Sequence, residues 1–129
     1  MLKIFKNGAI QGGEANWNYD ESLKAIHFSG WVKIKFGPFK KSVNFDNHYH
    51  VEREKLLSKN VVQGMVISLD DGTLTVLSVA AGRALAQITS SEYSGIIEFD
   101  ITGDLIDPIK VNLKANYSGI KLTIHAEKV

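Results

Sequence analysis

Cysteine is absent from the 129 residues. Disulfides, thiolate zinc sites, iron–sulfur clusters and a cysteine nucleophile are excluded together. Proline is scarce, occurring only at Pro38 and Pro108. Neither charge sign dominates: 15 Lys and Arg stand against 14 Asp and Glu, a formal net charge of +1. A dedicated nucleic-acid binder needs a basic excess to meet phosphates, so that class is disfavoured. No apolar run approaches the roughly 20 residues of a membrane-crossing helix. Neither a Gly-x-x-x-x-Gly-Lys-Ser/Thr phosphate loop nor a Gly-x-Ser-x-Gly elbow occurs, and Gly12-Gly13 reads as a plain loop. The N-terminal apolar run breaks at Lys6-Asn7-Gly8, short of the about seven or more apolar residues of a secretory signal. The sequence thus predicts a cytoplasmic protein, and its length predicts one domain spanning residues 1–129.

What is present is alternation with a period of two, the mark of half-buried strands. From Lys24 to Phe36, Ile26, Phe28, Val32, Ile34 and Phe36 form one face, and His27, Ser29, Lys33 and Lys35 the other, joined there by Trp31. After Gly37-Pro38-Phe39-Lys40 the parity inverts, with Val43, Phe45, Tyr49 and Val51 apolar and Ser42, Asn44, Asp46, His48 and His50 polar. Pairing Phe36 with Lys41 sets Val32 against Phe45, Phe28 against Tyr49, His27 against His50 and Trp31 against Asp46. All apolar members then share one side, and a slip of one residue would reverse them. The same reasoning sets Trp17 against Ile26 around residues 20–23, and Leu113 against Leu122 around residues 116–119. With Ile97, Phe99 and Ile101, the last third reads as a three-stranded meander.

The middle is less regular. Val61–Leu69 and Thr73–Val79, joined by Asp70-Asp71-Gly72, form a hairpin whose turn residues tolerate positive φ. Its two apolar faces predict central, doubly covered strands. Residues 79–89 fit a turn at Ala80–Arg83 and a further strand, or a helix of Leu77, Ala81, Ala84, Leu85 and Ile88. Gly82 and the β-branched residues before it favour strands. Residues 52–60 have helical composition and predict two turns of helix. The expected fold is all-β: an antiparallel barrel or two-sheet sandwich of about 8–10 strands, with one short helix near 52–60. The expected core includes Ile26, Phe28, Val32, Ile34, Val43, Phe45, Val51, Val66, Ile67, Ile97, Phe99, Val111, Leu113, Leu122 and Ile124.

Asp46, His48 and His50 project from one face of one strand, about 7 Å apart per step of two. Imidazoles with a carboxylate are a ligand set for divalent metals, and His27 opposite His50 would add a third imidazole. His48-x-His50-x-x-x-Glu54 resembles part of the first metal motif of the cupins, small double-sheet barrels. The resemblance covers seven residues. The flanking glycines of that motif and a second motif with a later histidine are missing, His125 being the only histidine downstream. A cupin-like enzyme would use the metal as Lewis acid or water activator. The plainer reading is that these groups form the solvated side of an amphipathic hairpin.

Trp31 and His27 are candidate ligand-binding residues, the indole suited to stacking on a sugar, a base or a partner protein. Coverage of Trp31 by a neighbouring loop or the 52–60 segment is the plainer expectation. Lys33, Lys35, Lys40 and Lys41 form the one basic cluster, and lysines of this kind guard sheet edges. Three functions follow. The leading one is a non-catalytic binding module for a small molecule or a protein partner. The others are a metal-dependent enzyme and a structural subunit assembling with copies of itself. No cofactor is expected beyond a divalent metal at the histidines.

Overall fold

A computed structural model describes all residues 1–129. Ten antiparallel strands follow one another along the chain: β1 Leu2–Ile4, β2 Ile10–Asp20, β3 Ala25–Phe36, β4 Phe39–His50, β5 Val66–Leu69, β6 Gly72–Ala80, β7 Arg83–Thr89, β8 Tyr93–Asp100, β9 Asp107–Tyr117 and β10 Ile120–Lys128. They form one sheet in the order β4-β3-β2-β1-β10-β9-β8-β7-β6-β5. The all-β expectation holds, but the sheet neither closes nor splits into two layers. It curls into a half-barrel, leaving β4 and β5 as free edges.

Turn chemistry sets the registers. Gly37 (φ 55°) lets Gly37-Pro38 reverse the chain in two residues, so Phe36 faces Phe39 and not Lys41. Ser118 and Gly119, both with positive φ, do the same between β9 and β10, where Leu113 faces Ile124. Between β2 and β3, Asp20 Oδ1 accepts from the Ser22 and Leu23 amides and the Ser22 hydroxyl (2.7–3.2 Å). The loop thus moves on to residues 21–24, and Trp17 faces Phe28. Each hairpin is two residues out from the expected pairing. A shift of two keeps every side chain on its expected face but changes its opposite number.

The apolar residues of β2, β3, β8, β9 and β10 meet on the concave face. Trp17, Phe28, Phe45, Tyr93 and Phe99 form its aromatic centre, and Phe28 contacts Trp17, Phe45 and Tyr93 at ring separations of 5.2–6.0 Å. These contacts join β2–β4 to β8 across the hollow of the sheet. Small inward residues permit the curl. A Cβ at Gly30 would collide with the Glu14 carbonyl and the Phe45 ring, and one at Gly95 with the Asn112 carbonyl. Irregular pairings between β2 and β3, β6 and β7, and β8 and β9 add bend. The last of these accommodates Pro108, which has no N–H to give to an interior ladder.

Three expectations are corrected. Residues 52–60 form two short 3-10 turns, Arg53–Leu56 and Ser58–Asn60. The segment is tied to residues 101–106, where Ser58 N donates to Asp104 O (2.7 Å) and Ile106 N to Leu56 O (3.0 Å). These fixed tethers, and burial of Leu56 alone among its residues, favour tight turns over a regular amphipathic helix. Arg53 adds ion pairs to Glu21 and Asp104 at 2.9 and 2.5 Å, and the Asp104 carboxylate holds its guanidinium firmly charged. The 66–80 hairpin is not central: β5 is an edge strand, and Val66 is 58% exposed where a core position was expected. An edge strand has no neighbour to cover its outward residue. Val43 and Phe45 are half-buried; the remaining expected core residues are buried. Residues 83–89 form a strand, entered through Ala81 and Gly82 with φ of 52° and 74°.

Phe28→Ala is expected to lower stability by about 3–5 kcal/mol, and Val66→Ala to leave it within about 0.5 kcal/mol of the parent, both read by urea unfolding. The carboxyls of Asp20 and Asp100 are held below the usual carboxylate range, first by hydroxyl hydrogen bonds from Ser22 and Thr102 and next by backbone amides. A depressed folded pKa gives stability that is full above the unfolded value, about 4, and is lost as pH falls through the folded one. Asp20→Asn and Asp100→Asn should therefore differ from the parent most at pH 7. The difference should shrink in unfolding curves taken at successively lower pH below about 4.

Candidate functional site

The outward face of β2–β4 carries the polar set. A two-residue hairpin is flanked by a hydrogen-bonded pair, and pairs then alternate along the ladder. Counting from Phe36–Phe39, His27–His48 and Ser29–Asp46 are non-hydrogen-bonded pairs, whose side chains stand closest. Accordingly the His27 and His48 rings stack at 4.2 Å with planes 9° apart. His27 Nε2–H donates to Asp46 Oδ1 at 2.6 Å, and His48 Nδ1 lies 3.8 Å from the same oxygen. The three donor groups fall within 4.8 Å of one another. The imidazoles are partly sheltered, with side chains 28% and 34% exposed, while Asp46 is open to solvent.

Of the expected metal residues, Asp46 and His48 thus come together, and His27 joins them. His50 does not. It faces Ala25, donates from Nδ1 to the Leu23 carbonyl (3.1 Å), and has Nε2 4.0 Å from Asp70. The tight turn gives His27 to His48 in place of His50. Glu54 belongs to the first 3-10 turn and joins no such cluster, so the cupin-like set His48, His50 and Glu54 is not assembled. No Ser or Thr hydroxyl hydrogen-bonds to either clustered imidazole.

Trp31 faces Asn44 and Glu14, not Asp46, and lies about 13 Å along β3 from His27. It is 40% exposed and uncovered by loop or turn. Instead it borders a shallow depression shared with Met1, Lys3, Phe5 and Val129. Trp31 and His27 thus stand apart on the same outward face of β3.

A second feature lies on the concave side. Between the β3–β4 and β9–β10 hairpins the apolar face is incompletely covered, leaving a groove of about 270 Å³. Val32, Ile34, Leu122 and Ile124 form its buried floor, and Val43, Phe45, Ala115 and Tyr117 its half-buried walls. At one end the Tyr93 hydroxyl donates to Asn47 Oδ1 (3.1 Å), and Asn47 Nδ2 donates to Glu92 Oε2 (3.4 Å). Burial, reinforced by neighbouring Tyr49 and Glu92, pushes the Tyr93 phenol far up, so it remains a donor. Burial also raises the Tyr49 phenol, which lies 3.5 Å from Ser90 Oγ. Lys41 covers the Tyr117 ring at 5.8 Å.

Sequence reasoning missed this groove. Its one signal was Asn47, a polar residue at an inward position of β4 between Phe45 and Tyr49. The expected turn aspartates have a further task. Asp70 accepts from the His50 amide (2.9 Å) and Asp71 from the Ser91 hydroxyl (2.6 Å), so the β5–β6 turn fastens part of the β4 edge.

Asn47→Leu is expected to cost about 1–3 kcal/mol by orphaning the Tyr93 hydroxyl, and Tyr93→Phe in that background should recover part of the loss in a double-mutant cycle of unfolding free energies. Comparisons with protein-family models, with curated proteins and with solved structures return no match for this chain.

Proposed function

We propose that this protein is a non-catalytic binding module that takes a small, largely apolar molecule carrying one polar handle. The observation that carries this reading is the uncovered apolar groove between the β3–β4 and β9–β10 hairpins. Small-molecule sites are concave and mainly apolar, with a few polar groups that fix orientation. Here Val43, Phe45 and Tyr117 supply apolar contact, Asn47 and Glu92 supply the polar groups, and Asn44, Asp46 and Asn116 stand at the rim. A volume of 270 Å³ suits a compact ligand, just below the about 300–1,000 Å³ of drug-sized sites.

An extended peptide fits the β4 edge less well, since that edge is guarded by Lys40 and Lys41 near its start and by Asp70 at His50. The same features weigh against edge-to-edge assembly through β4.

A hydrophobic fluorescent dye should bind the folded protein and brighten. Ala115→Trp, which fills the groove from a half-buried wall, should weaken dye binding about tenfold or more, a change of about 1.4 kcal/mol. The far-UV circular dichroism should be unchanged. A dye that gains no fluorescence with the folded protein, or that binds Ala115→Trp equally well, would overturn this reading.

A further inference from the structure

The outward cluster carries a separate inference, although Asp46 also borders the groove. We propose that His27, Asp46 and His48 bind one divalent transition-metal ion, Zn²⁺ foremost, on the convex surface of the β3–β4 hairpin. Ligand atoms on a tetrahedral Zn²⁺, with bonds of about 2.0–2.1 Å, stand roughly 3.3 Å apart. The observed separations to Asp46 Oδ1, 2.6 and 3.8 Å, bracket that value. All three ligand atoms lie within 4.8 Å of one another, and rotation of the two imidazoles out of their parallel stack would bring them onto one ion.

The donor set is two imidazole nitrogens and one carboxylate oxygen. That combination suits Zn²⁺ and its first-row neighbours, and is poor for Ca²⁺ or Mg²⁺, which prefer all-oxygen shells. The scaffold also favours binding. His27 and His48 come from adjacent paired strands, so their backbones are already held in register. Binding an ion requires the stacked rings to turn until their ligating nitrogens converge, and the Nε2 proton of His27 to leave. Three protein ligands leave a tetrahedral ion at least one open position. Because Asp46 is largely exposed, that position faces solvent, within reach of a water, an anion or a donor group from a partner.

The ion would bridge two strands that the β3–β4 ladder already joins, so its contribution to folding is secondary. The site is one for exchange with an outside ligand and not a structural staple. His50, held by Leu23 and Asp70, serves as an internal control on the same strand, and His125, paired with Asn112 on β10, as a distant one.

Titration calorimetry with Zn²⁺, together with visible absorption of the Co²⁺-loaded protein, tests the assignment. The parent should bind one ion per chain, and Co²⁺ should give the intense bands of a low-coordinate site. His27→Ala and His48→Ala should weaken Zn²⁺ binding at least tenfold and abolish those bands. Asp46→Asn should also weaken binding at least tenfold, because a neutral amide oxygen replaces a ligating carboxylate. His50→Ala and His125→Ala should bind as the parent does. All five substitutions are at outward-facing positions, so retained circular dichroism separates loss of the site from loss of the fold. No Zn²⁺ binding by the folded parent, binding that survives His48→Ala, or equal loss in His50→Ala would each overturn the proposal. Dye binding in the groove should be as in the parent for His27→Ala and His48→Ala, which do not line it, so the two readings fail separately.

Discussion

A single sheet with one apolar face has nothing to bury that face against except itself. In this protein the problem is met by curling, and the aromatic centre on the concave side holds the curl. Phe28 is the hub, touching Trp17 of β2, Phe45 of β4 and Tyr93 of β8, while Trp17 reaches Phe99 of β8. Strands far apart in the sheet order meet through these rings. Edge-to-face pairs of this kind add about 0.5–1.5 kcal/mol each beyond the area they bury. The glycines and alanines on the same face matter as much, because a Cβ at Gly30 or Gly95 would strike neighbouring backbone. Large rings at the centre and small residues around them set how tightly the sheet bends.

Both candidate sites are consequences of that bend. The 53–60 turns dock on residues 101–106 and bury Leu56 and Ile106 there, whereas nothing docks between the two long hairpins. The uncovered part is the groove. On the outside, the same strands present their polar alternates. There β3 and β4 bring His27, His48 and Asp46 together because of their pairing phase. One strand, β4, serves both faces: Phe45 and Asn47 line the hollow, while His48 and Asp46 belong to the outward set, Asp46 at the groove's rim.

Much of this was legible in the sequence. The strict alternation in residues 24–51 assigned Ile26, Phe28, Val32 and Ile34 to one side and His27, Asp46 and His48 to the other, as found. The turn residues Asp71-Gly72 and Ala81-Gly82 marked real reversals. The helix expected at 52–60 failed because composition there reports solubility, whereas tethering to Asp104 and Ile106 decides the backbone. Val66 was misplaced because an apolar residue on an edge strand looks like one in a central strand until its neighbours are known. Trp31 stands uncovered because the 53–60 turns dock elsewhere. Tyr93, Ala115 and Tyr117 gave no local sign of a groove, since each belongs to an ordinary alternating strand.

Side-chain period is a local property, so the sequence alone determined the all-antiparallel class and which residues share a face. Opposition across a ladder is different. It depends on whether a reversal takes two residues or four, and here each of the three long hairpins settled two residues from the pairing that alternation alone suggested. That displacement preserves every face and exchanges every partner. Tertiary structure therefore decided that His27 meets His48 and not His50, and where the hollow stays open. Turn geometry and curvature are energies of the assembled sheet, and no single strand carries them.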